Sequence, residues 1–151
     1  TPTSARRAAA PTLTAPDYGP VSPGTLMFPY IAGQSSWQGK SHDVTAHLTI
    51  SPAAPRAGEP ITFTFDLAAP HAQCCGLNML FGDGGSTEAL ASWPCPEGGP
   101  RGDGTRRYVF THTYNRPGRA DILFSAHVPT CDSPVPTQGD FRVKFDVAPA
   151  P

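Results

Sequence analysis

The side chains able to do chemistry are few and scattered. Histidines stand at 42, 47, 71, 112 and 127, and cysteines at 74, 75, 95 and 131. No serine lies in a Gly-x-Ser-x-Gly elbow, and no His-Glu-x-x-His occurs. His42 and His47 alone have a metal-like spacing. His42 precedes a strand-like run and His47 falls on its outer face, so the two do not converge. Asp83 and Asp103 sit in Gly-rich loops that could bind calcium, but neither loop has an EF-hand ligand series. A structural turn is the commoner use of such aspartates. These observations predict a protein that is not an enzyme and carries no cofactor and no metal.

The four cysteines fit two disulfides and an oxidising compartment better than a thiolate zinc site. Zinc sites use paired Cys-x-x-Cys spacings, and the only close pair here is vicinal. Joining Cys74 to Cys75 would strain the bond, which leaves two connectivities for the four. Arg101-Gly102-Asp103 is an adhesion-like tripeptide, of a kind that recurs by chance. Arg101, Arg106, Arg107, Arg116 and Arg119 cluster with Asp103 as the only acid among them. They could form a basic patch for an anionic glycan, although solvated strand ends are the commoner case.

The elements that would position these groups are short strands. The 151 residues suit one domain, and 19 prolines with 15 glycines argue against long helices. The 11 basic and 12 acidic residues leave a net charge of −1, which disfavours nucleic acid as a partner. No 18-residue apolar run exists to span a membrane. Residues 1–41 are Pro-rich, sparsely charged and without period, and read as an extended arm. The arm nevertheless carries Leu26, Met27, Phe28, Tyr30, Ile31 and Trp37, more apolar surface than a linker needs. It could pack on its own domain or dock on a neighbour.

Residues 42–151 alternate like strands. The runs are 44–50, 61–67, 77–81, 106–114, 120–128 and 141–147, with Gly/Pro turns between them. Six or seven such strands predict an all-β, antiparallel sandwich. STEALAS at 86–92 could form a short helix before Pro94.

Two motifs sharpen this picture. Phe81-Gly82-Asp83-Gly84 forms a turn after the third strand, and His112-x-Tyr114 with Pro117-Gly118 enters a later one. Together they resemble a polycystic-kidney-disease-type (PKD) domain over roughly residues 45–148. The resemblance implies an immunoglobulin-like β-sandwich, a type also found appended to secreted enzymes and adhesins. Met79 and Leu80 depart from the aromatic and the polar residue usual before that Phe, and the 85–105 insertion is long. Independently of the name, Gly82 and Gly84 permit backbone angles closed to other residues. Tyr114 stands where a tyrosine corner would, with its ring buried and its hydroxyl on nearby backbone. His112 falls on the inward face of its strand, where a hydrogen-bonded structural imidazole is the commoner reading than a ligand or a base.

In a sandwich of this topology 77–81 neighbours 120–128, and Leu80 and Leu123 both point outward. They make an apolar patch that the arm could cover. The same parity puts Cys75 inward, with Cys74 and Cys131 outward, and favours Cys74–Cys131 with Cys75–Cys95. The sequence thus predicts a non-catalytic, secreted or surface-displayed sandwich that docks through its N-terminal arm on protein subunits of its own or a larger assembly, such as a filament, coat or decoration layer. A carbohydrate- or matrix-binding module using the arginines is the alternative.

Overall fold

A computed structural model describes residues 12–70, 74–89, 104–128 and 137–151. The described residues form two sheets and no helix. In chain order the strands are β1 (Leu26–Met27), β2 (Ser36–Ser41), β3 (Val44–Ser51), β4 (Pro60–Ala68), β5 (Gly76–Leu80), β6 (Ser86–Ala89), β7 (Thr105–Thr113), β8 (Gly118–Val128) and β9 (Thr137–Val147). One sheet runs β1-β9-β8-β5-β6 and the other β2-β3-β4-β7.

Strict alternation drives this architecture, because side chains on a strand point to opposite faces in turn. Ile61, Phe63, Phe65 and Leu67 of β4 are buried, and the residues between them are half-exposed. Ala120, Ile122, Phe124, Ala126 and Val128 of β8 do the same from the facing sheet, as do Phe141, Val143, Phe145 and Val147 of β9. Aromatic rings knit the layers together. Phe124 stacks on Phe141 at 4.9 Å, and Phe65 meets Phe124 edge-on at 4.9 Å. Such pairs add about 0.5–1.5 kcal/mol beyond their burial.

Three expectations are corrected. The boundary at residue 42 falls inside the sandwich: β2 pairs along its length with β3, and Trp37 is 2% exposed in the core against Phe145. One large apolar residue at an inward position suffices to seat this edge strand. The expected helix at 86–92 gives way over Ser86–Ala89 to β6, paired with β5 from Leu80↔Ser86 to Leu77↔Ala89. The Gly82–Gly85 turn, closed by the Phe81 N–H on the Gly85 carbonyl at 3.0 Å, folds the chain back as a hairpin. Ladder pairing there overrides the helix preference of Glu and Ala.

The cysteine pairing is the third. Cys74 is joined to Cys75 across a cis peptide, not to Cys131. Both side chains are buried, 1% and 0% exposed. Strand parity does not reach them, because β5 begins only at Gly76. Cys95 and Cys131 lie outside the described residues.

Candidate functional site

The arm docks on its own sandwich. The Leu13 N–H donates to the Pro117 carbonyl at 2.8 Å, beside Gly118. The Tyr18 hydroxyl donates to the Asp121 carbonyl at 2.5 Å, and its ring lies over the Arg142 guanidinium at 4.9 Å. The chain then turns and β1 runs parallel to β9, Leu26↔Phe141 and Met27↔Arg142. The Phe28 N–H continues this ladder to the Arg142 carbonyl at 3.0 Å. Tyr30 bonds Asp146 through its hydroxyl and carries the Arg119 guanidinium over its ring at 3.5 Å. Leu26 and Phe28 turn inward over Gly39 of β2 and close the open side of the sandwich. A Cβ at Gly39 would come within 2.3 Å of Leu26, so the glycine makes room for the arm.

This docking leaves an apolar row on the outer face of the five-stranded sheet. Register places Met27, Arg142, Leu123 and Leu80 side by side on β1, β9, β8 and β5. Met27 is 46% exposed and Leu80 41%. Val21 of the arm, 48% exposed, shares a cleft of about 80 Å³ with Leu123 and Arg142. The one charge in the row is neutralised. Asp121 takes Arg142 in two hydrogen bonds of 2.9 and 2.8 Å, and the Tyr18 ring covers it. The carboxylate holds the Arg142 pKa above its ordinary value, and burial with the Asp121 charge pushes the Tyr18 phenol up to about 12. A polar row of Glu88, Asn78, Ser125 and Asp140 lies on one side, and Asp121 with Lys144 on the other. An apolar centre with a polar rim is the anatomy of a protein-binding patch.

The turn motif sits at one end of the sandwich. Gly82 has φ +89, and a Cβ there would meet the Asp121 carbonyl oxygen at 2.4 Å. Asp83 accepts from the Gly85 N–H at 2.9 Å and bonds His112 Nε2 at 2.7 Å. The His112 ring stacks flat on Phe81 at 3.9 Å. Tyr114 is 0% exposed and donates its hydroxyl to the Phe81 carbonyl at 2.7 Å, tying one sheet to the other. Burial raises its pKa far above the usual phenol range. Asp83 thus spends one carboxylate oxygen on the turn and the other on His112. An open groove of about 500 Å³ lies where the arm passes Gly82, Asp83 and Arg116.

The arginines do not converge. Arg106 and Arg107 lie on β7, and Arg107 pairs with Asp66 at 2.7 Å. Arg119 lies on β8 in the other sheet, engaged by Tyr30 and Asp146. Arg101 and the tripeptide are outside the described residues. Among the described residues no group of three or more His, Cys, Asp or Glu could hold a metal, and no helix is long and apolar enough to cross a membrane. Ile31 is 55% exposed beside the arm's Tyr30 anchor. Sequence reasoning missed Tyr18, Asp121, Arg142 and Val21. The outward parity of Asp121 and Arg142 on their strands was the available signal, while nothing local marks Tyr18 as their cover.

No protein-family model matches the chain, and no curated protein matches it either. Among solved structures it is similar to the PKD domain of an M14-like peptidase from the Thermoplasmatales archaeon SCGC AB-540-F20. The TM-score is 0.50 and the identity 17%, over 68% of this chain and 92% of that one. The fold is therefore an immunoglobulin-like β-sandwich of the PKD type, all-β and built from two sheets.

Proposed function

We propose that this chain is a non-catalytic structural or protein-interaction subunit of an extracellular or surface assembly, such as a filament, coat or decoration layer. The observation that carries the reading is the transverse row of Met27, Leu123 and Leu80 with Val21 above it. The arm is spent inward on closing the sandwich, so its role in docking is to add Met27 and Val21 to this outer face. The partner surface is apolar at its centre and polar at its rim. The even cysteine count and the buried Cys74–Cys75 pair support an oxidising compartment.

Removing residues 1–41 would not test this, because it deletes β2 and the core residue Trp37. The test is sedimentation of the full chain against a Met27→Glu/Leu80→Glu variant. Both residues are exposed, so the variant keeps the wild-type melting temperature. Wild type forms species larger than a dimer, or co-sediments with a partner subunit, and the variant does neither. Identical mass distributions for the two proteins, with and without partner, overturn the reading.

A further inference from the structure

The four-stranded sheet ends in a strand that is unlike the margins of the other sheet. β7 is nine residues long and pairs with β4 in unbroken register from Pro60↔Thr113 to Ala68↔Thr105. It contains no proline and no bulge, and it has no strand neighbour on its other side among the described residues. The far margins of the five-stranded sheet, β1 and β6, are two and four residues long. Proteins ordinarily shorten, kink or charge such edges to prevent pairing, and the charges of β7, Arg106 and Arg107, are confined to one end of it. At the middle of β7 stands Val109, 57% exposed, the most exposed of the large apolar residues described. Tyr108 and Phe110 beside it are half-buried, their rings 6.2 Å apart.

The direction of the backbone groups follows from one bond. The Ala69 N–H donates to the Gly104 carbonyl at 2.9 Å, so the even-numbered residues of β7 bond to β4. The peptide groups of Arg107, Val109 and Thr111 therefore point to the open edge. We infer that β7 is a self-association edge: it pairs antiparallel with β7 of a second copy, with the two-fold axis at Val109.

Self-complementarity identifies the occupant as another copy. With the axis at Val109, edge-facing peptides meet edge-facing peptides: Val109 opposes Val109 and Arg107 opposes Thr111. Arg106 opposes His112, and Tyr108 opposes Phe110, so no two arginines meet. An axis at Arg107 would set two guanidinium groups against each other, which is unfavourable for directly opposed like charges. An axis at Thr111 would leave Val109 against Thr113 and shorten the overlap. The contact is isologous and closes as a dimer. It joins two four-stranded sheets into one, while the Met27–Leu80 row lies on the other sheet. A subunit with these two separate contacts can extend an assembly, whereas the two-fold β7 contact alone closes at a dimer.

The experiment is sedimentation equilibrium on the full chain in the Met27→Glu/Leu80→Glu background, which isolates this edge from the outer face. The parent sediments as a concentration-dependent dimer. Val109→Pro removes an N–H that points away from β4, and proline is tolerated at such edge positions. It weakens the dimer about tenfold or more, through two central hydrogen bonds and the Val109 contact. Thr111→Lys, which keeps the backbone intact, also weakens it by opposing Arg107. Thr111→Glu tightens it, and added salt reverses the gain. Circular dichroism and melting confirm that each variant is folded. A parent that stays monomeric at high concentration, because the edge is covered from within the chain or reserved for a foreign strand, overturns the proposal. So does a dimer indifferent to Val109→Pro and to both Thr111 variants.

Discussion

Tyr114 and Tyr18 make the same bond in different surroundings. Each donates its hydroxyl to a backbone carbonyl, Phe81 at 2.7 Å and Asp121 at 2.5 Å. Tyr114 is wholly buried and ties one sheet to the other, whereas Tyr18 is half-buried and ties the arm to the outside of a sheet. Inside, a lost donor leaves a carbonyl with neither partner nor water, which costs roughly 1–3 kcal/mol. Outside, water replaces the phenol and the loss is small. The turn end of the sandwich is therefore part of the fold's stability, and the arm is a fitted cover whose value lies in the surface it completes. Both phenols have raised pKa values. The protonated forms are thus favoured in the folded state, so this stabilisation is complete below about pH 10 and fades as pH rises through the folded values.

The largest effect should come from the turn. Gly82→Ala combines a left-handed φ with a Cβ 2.4 Å from the Asp121 carbonyl oxygen, which is backbone and cannot move aside. A loss above about 3 kcal/mol in denaturant unfolding is expected. Tyr114→Phe comes next, with a loss of roughly 1–3 kcal/mol in the same assay. If Tyr18→Phe cost as much as Tyr114→Phe, the contrast between interior and cover would be gone.

Tyr18→Ala is expected to cost under about 1 kcal/mol. Its signature is local: the Leu13 amide, bonded to Pro117, loses hydrogen-exchange protection while the core strand amides keep theirs. Equal loss across β8 would show that the arm is integral to the fold.

The smallest effect is a pH dependence at His127. Its imidazole covers Gly76, where a Cβ would lie 2.2 Å from Nε2, and burial lowers its pKa below 6.5. A depressed histidine pKa means that the unfolded chain binds the extra proton first. Stability is full above about pH 6.5, falls as pH drops below it, and levels off under the folded pKa. His127→Gln should flatten that part of the melting-temperature profile and leave pH 8 values nearly unchanged.

The sequence showed the parts of the fold that follow strict alternation. The strands from residue 44 onward, β6 excepted, and the outward positions of Leu80 and Leu123 were legible because side-chain parity survives along any regular strand. The Gly82 turn was legible because its glycines have backbone reasons of their own. β2 was not, since Ser36–Ser41 offers one large apolar residue and a glycine that makes room for Leu26. β6 was hidden by helix-favouring residues that only pairing with β5 could overrule. The Cys74–Cys75 pair lay beyond the reach of parity, just before the strand begins. Met27, Leu80 and Leu123 stood out as apolar, but the register that sets them in one row was not legible, because β1 is two residues long and pairs only once the arm has docked.

The most direct measurement is the sedimentation profile of the full chain beside its Met27→Glu/Leu80→Glu variant, over a wide concentration range and with candidate partner subunits added. The outer-face account predicts large or partner-bound species for wild type and their loss in a variant with the same melting temperature. Superimposable profiles for two equally stable proteins would contradict it.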